Sequence, residues 1–128
     1  MKLILGGAFQ GKKEYVTEHL GISKEQIVDG KTASYEAIFT CVCMDHFHAW
    51  VRARLLEGKN LDGLEEELME KNPELLLITN ELGYGVVPVE AFDRMYRETT
   101  GRVCTRLAAK SSCVVRVVCG IGTVLKDG

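Results

Sequence analysis

Residues 3–13, LILGGAFQGKK, decide the fold class of this chain. In this stretch a short apolar run ends at two glycines, and a helical pattern begins at Lys12. Residues 6–13, GGAFQGKK, fit the pattern G-x-x-x-x-G-K in full and lack only the Ser or Thr that follows it. Glycines let successive backbone N–H groups converge on one anion, and the next helix adds its positive N-terminal end. The sequence therefore predicts a phosphate-binding loop between a first strand and a first helix.

We expect this loop to hold the phosphates of a nucleotide, either ATP or GTP. Lys12 is the charged donor to the terminal phosphates and the predicted catalytic lysine. Lys13 stands where a hydroxyl usually ligates Mg²⁺, and an ammonium group repels a cation. Either nucleotide, water and an acidic residue hold the metal, or the nucleotide binds without it. The predicted nucleotide-binding residues of the loop are Gly6, Gly7, Ala8, Phe9, Gln10, Gly11, Lys12 and Lys13.

The rest of the chain alternates short apolar runs with amphipathic stretches, which is typical of α/β layer folds. We expect strands at residues 2–5, 26–29, 74–80, 113–119 and 123–126. We expect helices at residues 12–20, 33–57 and 61–71, and a further long helix that begins at Pro88. A turn at residues 120–122 makes the last two strands an antiparallel hairpin.

Residues 33–57 allow two interpretations. Residues 37–44 have the β-branched content of a strand, whereas a helix would place Phe39 and Trp50 near one stripe. A parallel strand starting at residue 37 leaves about eight connecting residues after the strand at 26–29, fewer than a crossover requires. The sequence therefore favours one long helix over residues 33–57.

A carboxylate follows the most apolar of the predicted strands. Asn80 and Glu81 come at the end of ELLLITNE, and ligands in open α/β sheets bind beyond the carboxyl ends of strands. If this strand lies beside the first one, Glu81 approaches the phosphates that Lys12 holds. Glu81 is therefore the predicted catalytic and metal residue, which holds Mg²⁺ through water or accepts a proton from an attacking hydroxyl.

Length and composition exclude several classes of protein. The 128 residues fit one compact domain, residues 1–128, and the net charge of −2 argues against a nucleic-acid partner. No apolar run approaches the roughly 20 residues of a membrane helix, so we expect no membrane partner. The five cysteines are odd in number and scattered, and the apolar start is too short for a signal peptide. These features predict reduced thiols and a cytoplasmic protein.

Four stretches together resemble a known family. They are LILGGAFQGKKEY, ITNELGYGVVP and RETTGRVCTRLA, followed by VVRVVCGIGTVLK near the end. They resemble adenosylcobinamide kinase/adenosylcobinamide-phosphate guanylyltransferase enzymes, which carry G-G-x-R-S-G-K-S, then T-N-E-x-G-x-G-I-V-P, then F-R-D-x-x-G-R-x-N-Q-x-L-A. Residues 79–88 are the specific part of this resemblance, which covers roughly half of the chain.

The resemblance implies a P-loop, RecA-like fold: a three-layer α/β sandwich with a mostly parallel sheet and a C-terminal hairpin, often in a symmetric trimer. It implies that a nucleoside triphosphate phosphorylates a cobinamide-like hydroxyl in cobalamin biosynthesis, before guanylyl transfer through a covalently modified histidine. By motif, Asn80 and Glu81 match the family's strand-end pair. Arg97 and Arg102 match two arginines of its late helix and are predicted phosphate ligands on that ground.

The chain departs from the family pattern at several positions. The metal-binding Ser becomes Lys13, and Asn-Gln after Gly-Arg becomes Cys104-Thr105. The histidine segment after the second strand has no counterpart, because residues 30–36 stand in its place; we therefore expect guanylyltransferase activity to be lost. A second alignment places residues 45–55 on the family's D-C-L-T-L-W-L-S-N-L-L helix and makes Asp45, at a strand end, the magnesium acid.

Two other side-chain patterns invite a chemical interpretation. Cys41 with Cys43 and His46 with His48 suggest zinc, but residues two apart on a helix face opposite sides and cannot converge on one ion. His46 or His48 would serve as a substitute nucleotidyl acceptor only with an orienting group, and the sequence shows none.

Three functions are open on the sequence alone. The first is a kinase-type phosphotransferase acting on a cobinamide-like hydroxyl. The second is a nucleotide-binding module without catalysis, which Lys13 in place of Ser or Thr favours. The third is an interaction protein with a vestigial loop, which the intact glycines and Lys12 disfavour.

Overall fold

The computed structural model describes residues 1–82 and 90–127. Within these ranges the strands are β1 (Lys2–Gly6), β2 (Ile27–Asp29), β3 (Cys43–Asp45), β4 (Leu76–Asn80), β5 (Cys113–Val118) and β6 (Ile121–Asp127). The helices are α1 (Lys12–His19), α2 (Phe47–Leu56), α3 (Leu64–Lys71) and α4 (Ala91–Lys110), with short 3₁₀ turns at Lys24–Gln26 and Glu36–Phe39. The expected helix start at Pro88 lies outside the described residues.

The six strands form one sheet in the order β2-β3-β4-β1-β5-β6. Every pairing is parallel except β5 with β6, which is antiparallel, so the expected sheet and C-terminal hairpin are confirmed. Parallel strands end at the same edge of a sheet. The carboxyl ends of β1, β3 and β4 therefore meet at one edge, where Gly6 lies in register with Asn80.

Helices cover both faces of the sheet and make three layers. On one face Val16 of α1 is fully buried against Ile4 of β1 and Ile78 of β4. On the other face α2, α3 and α4 bury a larger core, to which Trp50 and Leu77 belong. Buried strands with apolar residues on both faces are characteristic of sheets covered by helices on each side. None of the described helices is long and apolar enough to cross a membrane.

The expected long helix over residues 33–57 is wrong. The chain forms the 3₁₀ turn Glu36–Phe39, then strand β3, and only then helix α2. The strand begins at Cys43 rather than at residue 37, so residues 30–42 form the crossover from β2. Because that length satisfies the dozen or so residues of a parallel connection, the geometric objection to a strand disappears.

Side-chain hydrogen bonds hold this crossover against the helices. The Trp50 indole Nε1–H donates to the Ser34 carbonyl at 3.1 Å. The Asn72 side-chain amide donates to the carbonyl groups of Ile38 and Cys41 at 3.0 and 2.9 Å. These bonds satisfy backbone acceptors in a segment that has no ladder of its own, which buried backbone groups require.

The other element boundaries differ from expectation by a few residues. The third helix begins at Leu64 rather than residue 61, directly after Gly63 in a left-handed conformation. The turn of the final hairpin lies at Cys119 and Gly120, which have φ values of 51° and 76°. Two consecutive positive φ values are typical of tight hairpin turns, and the turn therefore ends before Gly122.

Candidate phosphate-binding site

The loop between β1 and α1 lies where the sequence predicts it. At Gly6 an added Cβ would lie 2.5 Å from the Val117 carbonyl oxygen, so only glycine fits where β1 enters the loop. Gly11 has a φ of 84° directly before α1, a conformation that costs glycine nothing. Phe9 also has a positive φ, 60°, and its side chain is exposed. This backbone conformation, uncommon for a non-glycine residue, is found at functional sites.

The turn of the final hairpin supports this loop. The Gln10 side-chain oxygen accepts a hydrogen bond from the Cys119 N–H at 2.8 Å. The Gln10 carbonyl accepts a second bond from the Gly120 N–H, also at 2.8 Å. The two bonds join the loop to a turn more than 100 residues away and so restrain its conformation.

Lys12 is buried, with 8% of its surface exposed. Its Nζ donates to the Gly7 carbonyl at 2.6 Å, which holds the ammonium group against the loop backbone. Burial lowers the pKa of Lys12 below its ordinary value, and the charges of Asp45, Glu81 and Glu14 act in the opposite direction. Lys12 thus carries a partly desolvated positive charge near two strand-end carboxylates.

A cleft of about 370 Å³ opens at the loop. Three lysines and two acids line it, a positive balance that suits an anionic ligand. Lys31, in the crossover after β2, is the lysine that the sequence did not indicate. The described lining residues are Ala8, Phe9, Gln10, Gly11, Lys12, Lys13, Glu14, Lys31, Asp45, His46, His48 and Asn80.

Asp45 ends β3 and faces the same cleft as Lys12. Its Oδ1 accepts a hydrogen bond from the His46 N–H at 2.7 Å. This placement is the one that the second alignment requires, because that alignment makes Asp45 a strand-end acid. The long helix that the sequence favoured would have put Asp45 in a helix, so the correction to the fold brings this carboxylate into the site.

His46 has an orienting carboxylate after all. Its Nδ1 lies 3.0 Å from Asp29 Oδ1 and 3.6 Å from Asp45 Oδ2. Burial acts to raise the pKa of Asp29, but hydrogen bonds from the Lys31 N–H and from His46 hold it below its usual value. Asp29 and Asp45 come together because β2 and β3 pair in register at these residues. The sequence could not show this, since the strand β3 was itself missed.

His48 lies deeper in the cleft wall. Its Nδ1 accepts a hydrogen bond from the Asn80 N–H at 3.1 Å, which fixes the neutral tautomer with its proton on Nε2. Burial, and then the charges of His46 and Lys12, lower the pKa of His48 to about 4. His48 is therefore an uncharged connection between α2 and the end of β4.

Glu81 is tied to its neighbours by both backbone and side chain. Its N–H donates to the Gly6 carbonyl at 2.8 Å. Its carboxylate forms an ion pair with Arg116 of β5, at 2.9 Å from Oε1 to Nε and 3.1 Å from Oε2 to the terminal amino nitrogen. Arg116 was missed as a site residue, although a single charge inside the apolar run CVVRVVC was the available signal.

Arg97 and Arg102 lie on α4, away from the loop cleft. Arg102 forms an ion pair with Glu98, one turn earlier on the helix. Both arginines line a shallow depression on the surface of α4, and neither is among the described residues that line the loop cleft. A phosphate contact by either arginine stays a prediction.

The cysteine and histidine pairs do not assemble into a metal centre in the described part of the chain, where no group of three or more His, Cys, Asp or Glu could hold an ion. Cys43 is fully buried in the sheet, and burial raises the pKa of its thiol to about 12. Cys41 is half-buried at the crossover. Cys43 is therefore a core residue in its protonated form.

Comparison with known proteins identifies relatives of one kind. The family model described as cobinamide kinase/cobinamide phosphate guanyltransferase matches residues 22–125. Over 53 residues the chain is 45% identical to the bifunctional adenosylcobalamin biosynthesis protein CobU of Salmonella typhimurium and 43% identical to that of Escherichia coli. Over 92 residues it is 33% identical to the bifunctional adenosylcobalamin biosynthesis protein CobP of Pseudomonas aeruginosa.

Each alignment covers only part of this chain and part of the relative. The two CobU alignments cover 41% of this chain and 29% of each relative, and the CobP alignment covers 67% of this chain and 53% of that relative. The chain therefore spans at most about half the length of the curated relatives it matches. The family match begins at residue 22, so the geometry of the loop at residues 6–13 is an observation independent of it.

We expect His48→Gln to reduce the loss of stability at acid pH. An unfolded histidine binds a proton near pH 6.5 and the folded His48 only near 4, so between these values the unfolded state binds more protons. The free energy of unfolding of the wild type therefore falls as the pH drops through this window. Glutamine keeps an acceptor for the Asn80 N–H and removes the titration. Urea denaturation at pH about 7 and about 5 measures the difference.

His19→Gln is the matched control, because His19 is exposed on α1. This variant should keep the wild-type dependence on pH. Equal slopes for wild type and His48→Gln would contradict a depressed pKa at His48.

Proposed function

This chain belongs to the cobinamide kinase/cobinamide phosphate guanyltransferase family, and we propose that it is a nucleotide-dependent kinase for a hydroxyl group of a cobinamide-like small molecule in cobalamin biosynthesis. The observation that carries the proposal is the buried Lys12 in a cleft with two further lysines and a strand-end carboxylate. The names of the relatives, bifunctional adenosylcobalamin biosynthesis proteins, support the choice of pathway. We propose residues 1–128 as one nucleotide-binding domain.

The loop cleft is the proposed site for the triphosphate of ATP or GTP. Backbone N–H groups of residues 6–13 and the positive end of α1 bind the phosphate oxygens. Lys12 adds a charge whose desolvation strengthens its attraction to an anion. Lys13 and Lys31 lie on the same cleft and supply the further positive charge that a triphosphate requires.

The cleft also fits a magnesium ion that arrives with the nucleotide. Mg²⁺ is usually bound through one or two carboxylates together with substrate phosphates and water. Asp45 is the carboxylate that shares the cleft with Lys12, whereas the Glu81 carboxylate is held by Arg116. We therefore assign the metal to Asp45 rather than to Glu81. When bound, the ion neutralises negative charge on the β- and γ-phosphates.

Glu81 is the proposed residue for the acceptor hydroxyl. In the transfer, the acceptor oxygen forms a bond to the γ-phosphorus while the bond from that phosphorus to the β-phosphate oxygen breaks. The hydroxyl proton passes to the Glu81 carboxylate. The Arg116 ion pair and the backbone bond to Gly6 hold that carboxylate in place beside the loop. Lys12 stabilises the charge that moves to the leaving phosphate.

Guanylyltransferase activity is proposed to be lost. The crossover at residues 30–42 contains no histidine. His48 is an uncharged side chain whose Nδ1 accepts the Asn80 N–H. His46, which Asp29 orients at the loop cleft, is the residue on which this loss is tested.

Incubation with GTP labelled at the α-phosphate should therefore leave no label on the denatured protein. Label that persists in the wild type and is absent from His46→Ala would overturn this part of the proposal. His19→Ala, on the exposed face of α1, is the control for a nonspecific histidine adduct.

A non-catalytic nucleotide-binding module is the second candidate. The observation that favours it is Lys13 in the place of the metal-binding hydroxyl, because this charge opposes a cation in the cleft. Tight nucleotide binding without phosphorylation of cobinamide would select this alternative. We also propose a cytoplasmic location and a homotrimer, with no nucleic-acid or membrane partner.

Lys12→Ala should abolish nucleotide binding while the protein stays folded. A ligand at 100 times its dissociation constant stabilises the wild type by about 2.7 kcal/mol, which thermal unfolding with and without ATP or GTP detects. The variant should show no nucleotide-dependent shift and form no cobinamide phosphate. Lys24→Ala, at an exposed 3₁₀ turn, is the control and should behave as wild type. A nucleotide-dependent rise in the melting temperature of Lys12→Ala as large as that of the wild type would contradict the proposal.

Asp45→Asn and Glu81→Gln should have separable effects. Asp45→Asn should weaken nucleotide binding only in the presence of Mg²⁺, because it removes the proposed metal carboxylate. Glu81→Gln should leave that binding unchanged and lower kcat for cobinamide phosphorylation about 10²- to 10⁴-fold, the usual contribution of a general base. Calorimetry with and without Mg²⁺, and steady-state kinetics, measure the two effects. If instead Glu81→Gln weakened nucleotide binding only in the presence of Mg²⁺, Glu81 would be the metal ligand.

A further inference from the structure

A second cavity, of about 310 Å³, lies between the ends of the central strands and α4. Leu5 and Thr79, paired neighbours on β1 and β4, form one wall. One turn of α4 forms another. We call this cavity the α4 pocket; its described lining residues are Leu5, Thr79, Asn80, Glu81, Leu82, Thr100, Gly101 and Cys104. Asn80 lines both the α4 pocket and the loop cleft, so the two sites adjoin at the end of β4.

Thr100 lines this pocket and carries a buried hydroxyl. Its side chain is almost completely buried, at 2% exposure, and its Oγ1 has no hydrogen-bond partner within the described ranges. Buried hydroxyl groups are normally paired, because leaving one unpaired costs the free energy of removing it from water. A ligand in the pocket would supply the missing partner.

Gly101 lies on the same wall of the α4 pocket and is exposed. It lies in the interior of a 20-residue helix, where glycine is less favourable than alanine. A Cβ added at Gly101 would meet no atom within 4 Å. Packing therefore does not require glycine at this position, and a larger side chain would have room beside the helix.

The charge of the pocket indicates what it can bind. Glu81 is the one charged side chain among its described lining residues, and Arg116 pairs with it. The described lining of this pocket therefore offers an anion no cation, whereas the loop cleft has three lysines. Apolar side chains from Leu5 and Leu82 favour aliphatic groups, and the described lining includes no aromatic ring on which a nucleobase could stack. These features fit a neutral aliphatic ligand.

We propose that the α4 pocket binds the hydroxyl-bearing arm of the acceptor substrate, a short neutral aliphatic chain with a hydrogen-bonding group for Thr100 Oγ1. The volume is at the low end for ligand sites, which suits an arm and excludes a macrocycle. Glu81 lies on the pocket wall and its neighbour Asn80 on both sites, so the hydroxyl of a bound arm is directed towards the loop cleft. This inference rests on the proposed kinase function and assigns the acceptor to a place within it.

Thr100→Val tests the hydroxyl, and Gly101→Leu tests the space. Valine keeps the shape of threonine and removes only the unpaired hydroxyl, so the melting temperature should not fall. Leucine is a good helix former and places its side chain in the open region. Cobinamide is titrated into each protein by calorimetry, alone and with a non-hydrolysable GTP analogue, and the analogue is also titrated by itself.

We expect Thr100→Val to raise the dissociation constant for cobinamide roughly fivefold, the usual effect of one uncharged hydrogen bond. Gly101→Leu should raise it by a larger factor. Neither should change the affinity for the GTP analogue. Thr105→Val is the matched control on the exposed face of α4, where the threonine hydroxyl bonds to the Gly101 carbonyl, and it should bind cobinamide as the wild type does.

Several results would overturn the assignment. They are wild-type affinity for cobinamide in both variants, weakened affinity for the GTP analogue in place of cobinamide, or no binding of cobinamide to the wild type with or without the analogue. Failure of the kinase proposal gives a different result: no cobinamide phosphate forms in the wild type. The cobinamide titrations then still decide the pocket, because they need no turnover.

Discussion

The parallel pairing of β1 with β4 is the constraint on which the rest of the site depends. It sets Gly6 opposite Asn80, and the Glu81 N–H extends the pairing by one bond to the Gly6 carbonyl. The first residue of the glycine-rich loop and the strand-end residue Glu81 are therefore fixed relative to each other by backbone hydrogen bonds. Because every strand around them except β6 runs in the same direction, the groups at their carboxyl ends face one edge of the sheet.

Charge is divided between two adjoining cavities at that edge. The loop cleft collects three lysines, among them the buried Lys12, and so favours an anion. Among its described lining residues the α4 pocket has one acid, Glu81, which pairs with Arg116, together with apolar side chains and Thr100. The proposed phosphotransferase would use this separation, because its charged donor and neutral acceptor approach each other from different surroundings.

The sequence succeeded where the pattern is local and failed where it depends on neighbours in the sheet. The loop at residues 6–13, the apolar strand β4 and the final hairpin each have their signal within about ten residues. The prediction of one helix over residues 33–57 was wrong because the helical periodicity of α2, at Phe47–Leu56, was extended to the residues before it. The strand β3 has only three residues. Because it begins as late as Cys43, the crossover from β2 is long enough for a parallel connection.

The sequence by itself determined the fold class, the glycine-rich loop with Lys12 between β1 and α1, and the family, because these reside in contiguous residues with their own geometry. Only the tertiary structure decided the partners of the site residues. Asp29 meets His46 across 17 positions and Arg116 meets Glu81 across 35. Thr100 is buried beside Leu5 and Thr79, where its hydroxyl has no partner among the described residues. These contacts follow from the order of strands in the sheet, in which β1 lies between β4 and β5. Neighbours in a parallel sheet are separated in the chain by whole crossovers, so no local pattern of residues could have indicated which side chains meet.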